Sequence, residues 1–264
     1  MSTAVNLLRF VWTCWKLNLA GAMEFRMSFL MTAGMMMLNN LVWIFFWGLY
    51  FNRFPVINGW ELRDVMMMWA IGAGGYGLSA VFFGNVYMLA SLIANGQLDA
   101  YLAQPKPVLL HVLISRMSMT AIGDVLFGLL IFVYIGDFTI IHILKFIASL
   151  ILSMLIFLFL NLIVQCLAFY IGNAEGIAGQ FFISTVTLST YPTDIFRGVA
   201  RVLLFTAIPA GFISYMPIGF MRHMNPWFAA GLIIAVCVLS TVGIIVFRRG
   251  LRRYSSGNMM SMRM

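Results

Sequence analysis

The stretch Phe146-Ile147-Ala148-Ser149-Leu150-Ile151-Leu152-Ser153-Met154-Leu155-Ile156-Phe157-Leu158-Phe159-Leu160-Asn161-Leu162-Ile163-Val164-Gln165 holds no charged side chain. At ~1.5 Å rise per residue, about 20 such residues make a helix long enough to cross the hydrocarbon core of a bilayer. The same criterion picks out candidate spans near 27–51, 65–93, 117–135, 146–171, 177–192 and 227–247. Composition agrees with it. Of 264 residues 62% are hydrophobic and 9% charged, and the mean hydropathy is +0.98, whereas about a quarter of a soluble chain is charged. The expected fold is a single all-α integral membrane domain, residues 1–264, with six transmembrane helices.

The connecting segments differ in kind. Val5, Leu8, Trp12, Trp15 and Leu19 fall on one helical face and Asn6, Arg9, Thr13 and Lys16 on the opposite one, so residues 1–22 read as an amphipathic helix lying in the interface. Arg9 and Lys16 also interrupt the apolar run that a signal peptide needs. Residues 52–64 and 136–145 are short and polar, and 94–116 is a longer loop. Residues 193–226 are apolar but divided by Pro209, Gly211, Pro217 and Gly219 into pieces too short to span, which predicts external re-entrant or interfacial helices. Within them Asp194, Arg197 and Arg201 are spaced to form one polar helical face, or a solvated helix end.

Lys and Arg flanking the spans orient the chain. With both termini in the cytoplasm, Arg9, Lys16, Arg26, Lys106, Arg116, Arg248, Arg249, Arg252, Arg253 and Arg263 lie inside, against Arg53, Arg63, Lys145, Arg197, Arg201 and Arg222 outside. The tail 248–264 is then cytoplasmic, and the chain sits as a multi-pass protein in the cell (inner or plasma) membrane. The net charge of +8 clusters at segment ends, which marks topology and gives no nucleic-acid-binding stripe.

Several motifs are weighed and set aside. Gly72-Ala73-Gly74-Gly75-Tyr76-Gly77 satisfies GxGxxG, but no strand precedes it. Ala70 with Gly74 and Ala73 with Gly77 instead place small residues four apart, the spacing that lets helices approach closely in lipid. No GxxxxGK[ST] loop occurs, so the chain does not bind ATP in that manner. Cys14, Cys166 and Cys237 are scattered, as are His111, His142 and His223, so no metal site is expected. The methionine clusters Met35–Met37, Met66–Met68 and the tail's Met259, Met260, Met262 and Met264 lack the Cys or His partners of a copper site and read as apolar filler.

Asp124 is the one acid well inside a predicted span, and such acids are expensive and normally paired. Asn161 and Gln165 on the next, antiparallel span lie at similar depth, which suggests a hydrogen-bonded clasp or a polar patch on a substrate or proton path. Gly123-Asp124 lacks the second carboxylate that an aspartyl protease requires, and no activated nucleophile accompanies the histidines. No catalytic residues are assigned and no enzymatic activity is expected. A standalone secondary transporter or channel is the rival class, although it would normally show internal repeats and several buried ionisable groups.

Ala94-Asn95-Gly96-Gln97-Leu98-Asp99-Ala100-Tyr101-Leu102-Ala103-Gln104-Pro105 resembles the cytoplasmic loop between the second and third spans of type-2 ABC exporter permeases, in a poorly characterised six-helix branch. Tyr191-Pro192 with Ile195-Phe196, Ile208-Pro209-Ala210 and Tyr215-Met216-Pro217 resemble that branch's later signatures. Gln104 stands where relatives often carry Arg. The resemblance implies a permease that dimerises with an identical or paralogous copy and binds two cytoplasmic ABC ATPase subunits. ATP and Mg would be bound by those partners, with no cofactor in this chain. Residues 1–22 would be the elbow helix, and 94–116 the coupling loop, with Gly96, Gln97, Leu98, Asp99, Tyr101, Leu102, Gln104 and Pro105 at the ATPase contact. Between Gly96 and the helix-stopping Pro105 and Pro107, a short helix is expected that offers Leu98, Tyr101 and Leu102 as apolar anchors.

Overall fold

A computed structural model describes residues 3–171, 174–222 and 226–255. Every long element is a helix, and no strand occurs among the described residues. In chain order these are α1 (Thr3–Glu24), α2 (Arg26–Arg53), α3 (Leu62–Phe83), α4 (Leu89–Ala94), α5 (Asp99–Leu102), α6 (Val108–Ile114), α7 (Ala121–Ile135), α8 (Ile140–Gln165), α9 (Ala174–Ser189), α10 (Val199–Leu203), α11 (Tyr215–Arg222) and α12 (Pro226–Leu251). Among the described residues four stretches are long and apolar enough to cross a membrane: α2, Leu62–Ala94, Ile140–Phe169 and α12. The predicted spans 117–135 and 177–192 correspond to the shorter α7 and α9, of 15 and 16 residues.

At the centre lies α3, packed on α7 and α8. Its small residues make this possible. A Cβ on Gly128 of α7 would lie 2.6 Å from the Ala70 carbonyl oxygen, and one on Gly77 would lie 2.8 Å from that of Ala121. Close backbone approach is what small residues provide in lipid, where no hydrophobic force draws helices together. The GxGxxG match is thus the interior of a helix, as the missing strand implied. Met66, Met67 and Met68 are buried in the core around Trp60, Phe127 and Phe146. The tail methionines lie outside the described residues.

The two ends of the bundle have different characters. One end gathers α1, residues 84–116 and the end of α12 around a second core that includes Leu98, Phe169 and Phe247. Tyr254 returns to this lobe beside Asp99; burial, then Asp99, push its phenol up to about 12. The other end gathers 54–64, 136–145 and 190–222. There Arg63 pairs with Asp137 at 2.9 Å, Arg222 pairs with Asp64, and Trp60 Nε1 donates to Asp194 at 2.8 Å. The segments expected on each side of the membrane therefore assemble together.

Helix α1 has three sectors where two were expected. Leu8, Trp12 and Leu19 are exposed, as are Arg9 and Lys16 on the polar side. A third stripe packs inward: Trp15 Nε1 donates to the Phe82 carbonyl at 2.9 Å and Asn18 Nδ2 to that of Ile114 at 3.0 Å. Residues 193–222 form only short helical pieces, and Ile213 is buried against Ile156, Phe157 and Leu232 inside the bundle. Asp194, Arg197 and Arg201 do not share a helical face. Gly198, at φ +58°, turns the chain between them, and this turn brings Arg201 to 3.2 Å from Asp194 while Arg197 stays exposed.

Candidate functional site

A cavity of about 310 Å³ opens in the middle of the bundle. Met36, Asn40 and Trp43 of α2 form one wall, Phe182, Val186 and Thr187 of α9 another, and Met68, Trp69, Gly72 and Tyr76 of α3 lie between them. Trp43 and Trp69 stack at 5.8 Å. Tyr191, from the 193–226 region's leading edge, closes the far end against Trp47. Pro192, Pro209 and Pro217 of that region are buried.

The lining is mostly apolar, with Asn39, Asn40, Thr187, Ser189 and Thr190 as neutral polar groups and Asp124, which is 2% exposed, as its acid. Asn40 Nδ2 donates to its Oδ1 at 2.7 Å, and Oδ2 has no hydrogen-bond partner among the described residues. The expected clasp with Asn161 or Gln165 is therefore corrected. The cause is the preceding glycine: Gly123 sits directly against the Ala33 carbonyl of α2, which turns Asp124 toward α2 and away from α8. Asn161 donates to its own helix at Phe157, 2.9 Å away. Gln165 bonds residues 87 and 90 of the second span. Asp124 also sits in the first turn of α7, where the helix dipole favours an acid.

The second candidate feature is the 94–107 segment. Gly96 ends α4 as foreseen: at φ +70° it lets Gln97 N reach the Leu92 carbonyl at 2.9 Å, a Schellman cap. The helix that follows is a single turn, α5, and Pro105 and Pro107 separate it from α6. The apolar anchors need correction. Leu98 is fully buried in the lobe's own core, and Tyr101 is half-buried with its hydroxyl 3.0 Å from Ser115 Oγ. What the segment presents outward is Gln97, Asp99, Leu102, Gln104 and Pro105. His111 packs edge-on between Phe10 and Tyr101; burial, then Lys106, hold its imidazole below the ordinary value.

Residues 11–257 match the family described as ABC-2 family transporter protein. The chain belongs to this family. No curated protein and no solved structure matches it. As an ABC-2 family member, it is the membrane-embedded permease of an ABC transporter and works with an ATP-binding subunit. Two features of this permease were not read from its sequence: Asn40 as the partner of Asp124, and the aromatic lining from Trp43, Trp69 and Tyr76. The spacing of Trp43, Met36 and Asn40 along one side of α2 was the available signal.

Proposed function

We propose that this chain is the permease of an ATP-driven exporter, and that the cavity between α2, α3 and α9 is its substrate path. The observation that carries the reading is the placement of an aromatic-walled cavity beside a lobe built from the 84–116 segment. Pumping requires two conformations with different substrate affinity, biased by ATP at the partner. In this reading α2, Leu62–Ala94, α7, α8, α9 and α12 are the six spans, and α1 is the elbow helix in the cytoplasmic interface. Both termini are cytoplasmic, in the cell membrane. Nine Lys and Arg of the described residues lie at the lobe end (Arg9, Lys16, Arg26, Lys106, Arg116, Arg248, Arg249, Arg252 and Arg253) against six at the other, in keeping with that orientation.

Gln97, Asp99, Leu102, Gln104 and Pro105 dock on the ATPase, with Leu102 as the apolar contact inside a polar rim. Two ATPases and a second permease, identical or paralogous, complete the transporter, and the bare outer faces of α2 and α12 leave room for that copy. The partner binds ATP and Mg. The test is co-purification of the partner with Leu102→Asp and with Gln97→Lys. A P-loop ATPase should accompany the unmodified chain and be lost or depleted with Leu102→Asp, at unchanged membrane insertion. Equal ATPase recovery from all three would refute the docking assignment.

A further inference from the structure

The apolar stretch Leu62–Ala94 is not one helix. Phe83 (φ −133°, ψ 32°) and Met88 (φ −111°, ψ 2°) leave helical geometry, and Gly84–Met88 between them form a 3-10 turn. The cause is a strand of chain pressed against the helix. Ser118 N donates to the Ala80 carbonyl at 2.9 Å, the acceptor that Gly84 would use in a continuous helix. A Cβ on Gly84 would lie 3.0 Å from both Arg116 O and Ser118 N. Insertion of a foreign donor into the ladder is a recognised cause of helix breaks.

Backbone groups freed by a break inside a membrane protein need other partners. Here one side chain supplies them. Gln165, 6% exposed at the end of α8, accepts from Ala90 N at 2.8 Å and donates to the Tyr87 carbonyl at 3.0 Å. If the turn straightened, Ala90 N would return to the Val86 carbonyl. The backbone is then satisfied in either arrangement, the property of an element with two usable states, while the Gln165 bonds made only in the bent one hold it there.

The turn also touches both candidate features. On one side Asn85 Nδ2 reaches the Val112 carbonyl (2.8 Å), Ser115 Oγ (2.7 Å) and the Tyr101 hydroxyl of the docking segment (3.3 Å). On the other, the Tyr87 ring packs on Tyr76 and Phe182, at 5.6 and 5.3 Å, and both line the cavity.

We propose that the 84–88 turn is the joint through which movement of the docking segment reaches the cavity, with Asn85 and Tyr87 as positioning residues at its two faces and Gln165 as the clamp that sets its resting state. The inference rests on the reading of 95–107 as the ATPase contact.

The experiment uses the complex of the full chain with its ATPase, carrying spin labels on Leu38→Cys of α2 and Gln180→Cys of α9, exposed positions flanking the cavity, in a background without other cysteines. ATP should shift the label-to-label distance distribution in the parent complex. In Gln165→Leu, which releases the resting state, the distribution without ATP should already approach the shifted one, so that the ATP-dependent change shrinks ~5-fold, the lower range of coupling between sites, while the ATPase remains bound. Tyr101→Phe, which removes the hydroxyl that Asn85 reaches and keeps the packing, and Tyr87→Leu, which removes the ring on Tyr76 and Phe182, should reduce that change as well, and Tyr101→Phe stands in if Gln165→Leu misfolds. A parent complex without an ATP-dependent shift, or a full shift in the variants, overturns the joint. Failure of any ATPase to accompany the unmodified chain overturns the docking reading first, and the joint with it.

Discussion

Replacing Asn40 with Leu removes the one side chain among the described residues that hydrogen-bonds Asp124, at 2.7 Å, and leaves a 2%-exposed carboxyl with neither oxygen paired among them. An unsatisfied buried polar group costs about 1–3 kcal/mol. For a chain of this size 1 kcal/mol corresponds to roughly 2–4 °C in melting temperature, so about 2 kcal/mol is expected to lower the transition by ~4–8 °C. Asp124→Asn keeps a hydrogen-bonding partner for Asn40 and should shift the transition much less. The double replacement Asn40→Leu with Asp124→Leu removes both polar groups together and should recover most of the loss. Thermal unfolding of the purified proteins in one detergent measures all three. The reasoning is refuted if Asn40→Leu melts with the parent, or if the double replacement is no more stable than Asn40→Leu alone.

Other consequences are independent of this pair. Gly128→Val places side-chain atoms against the Ala70 carbonyl and should destabilise by about 1–3 kcal/mol through overpacking, whereas Gly72→Ala, with nothing within 4 Å of the added Cβ in the interior of α3, should hold or slightly raise the melting temperature. Leu98→Asp buries a charge in the lobe and should deplete folded protein on size-exclusion chromatography, a loss that the exposed Leu102→Asp does not share. For His111 the sign follows from its lowered value: the unfolded chain takes up a proton near pH 6.5 while the folded one resists, so stability falls as pH drops below that point. Melting temperatures across pH 5–7 should show that slope in the parent, and a shallower one in His111→Phe.

The four long apolar stretches were legible because hydropathy over about 20 residues reports a bilayer's thickness directly. The packing of α3 on α7 was half legible, since Ala70, Gly74 and Gly77 announce a close approach without saying to which helix. Asp124 shows where that limit lies. Periodicity fixes the face and depth of a residue, but the choice between α2 and α8 as neighbour depends on how Gly123 seats against Ala33. Leu98 and Leu102 look alike in sequence, four residues apart in one loop. Only the way the 84–114 chain folds back decides that one is core and the other surface. The break at 84–88 is nearly silent in composition, with Gly84 and Asn85 as its sole marks, because its cause is contact with residues 116–118.

The central claim is that this ABC-2 family permease is driven by a separate ATPase. Native mass measurement of the complex, isolated in detergent through a tag on this chain, tests it most directly. The account expects an assembly of two permeases and two P-loop ATPase subunits, which separates into its parts when the docking segment carries Leu102→Asp. A stable species that contains this chain without any nucleotide-binding subunit would contradict it.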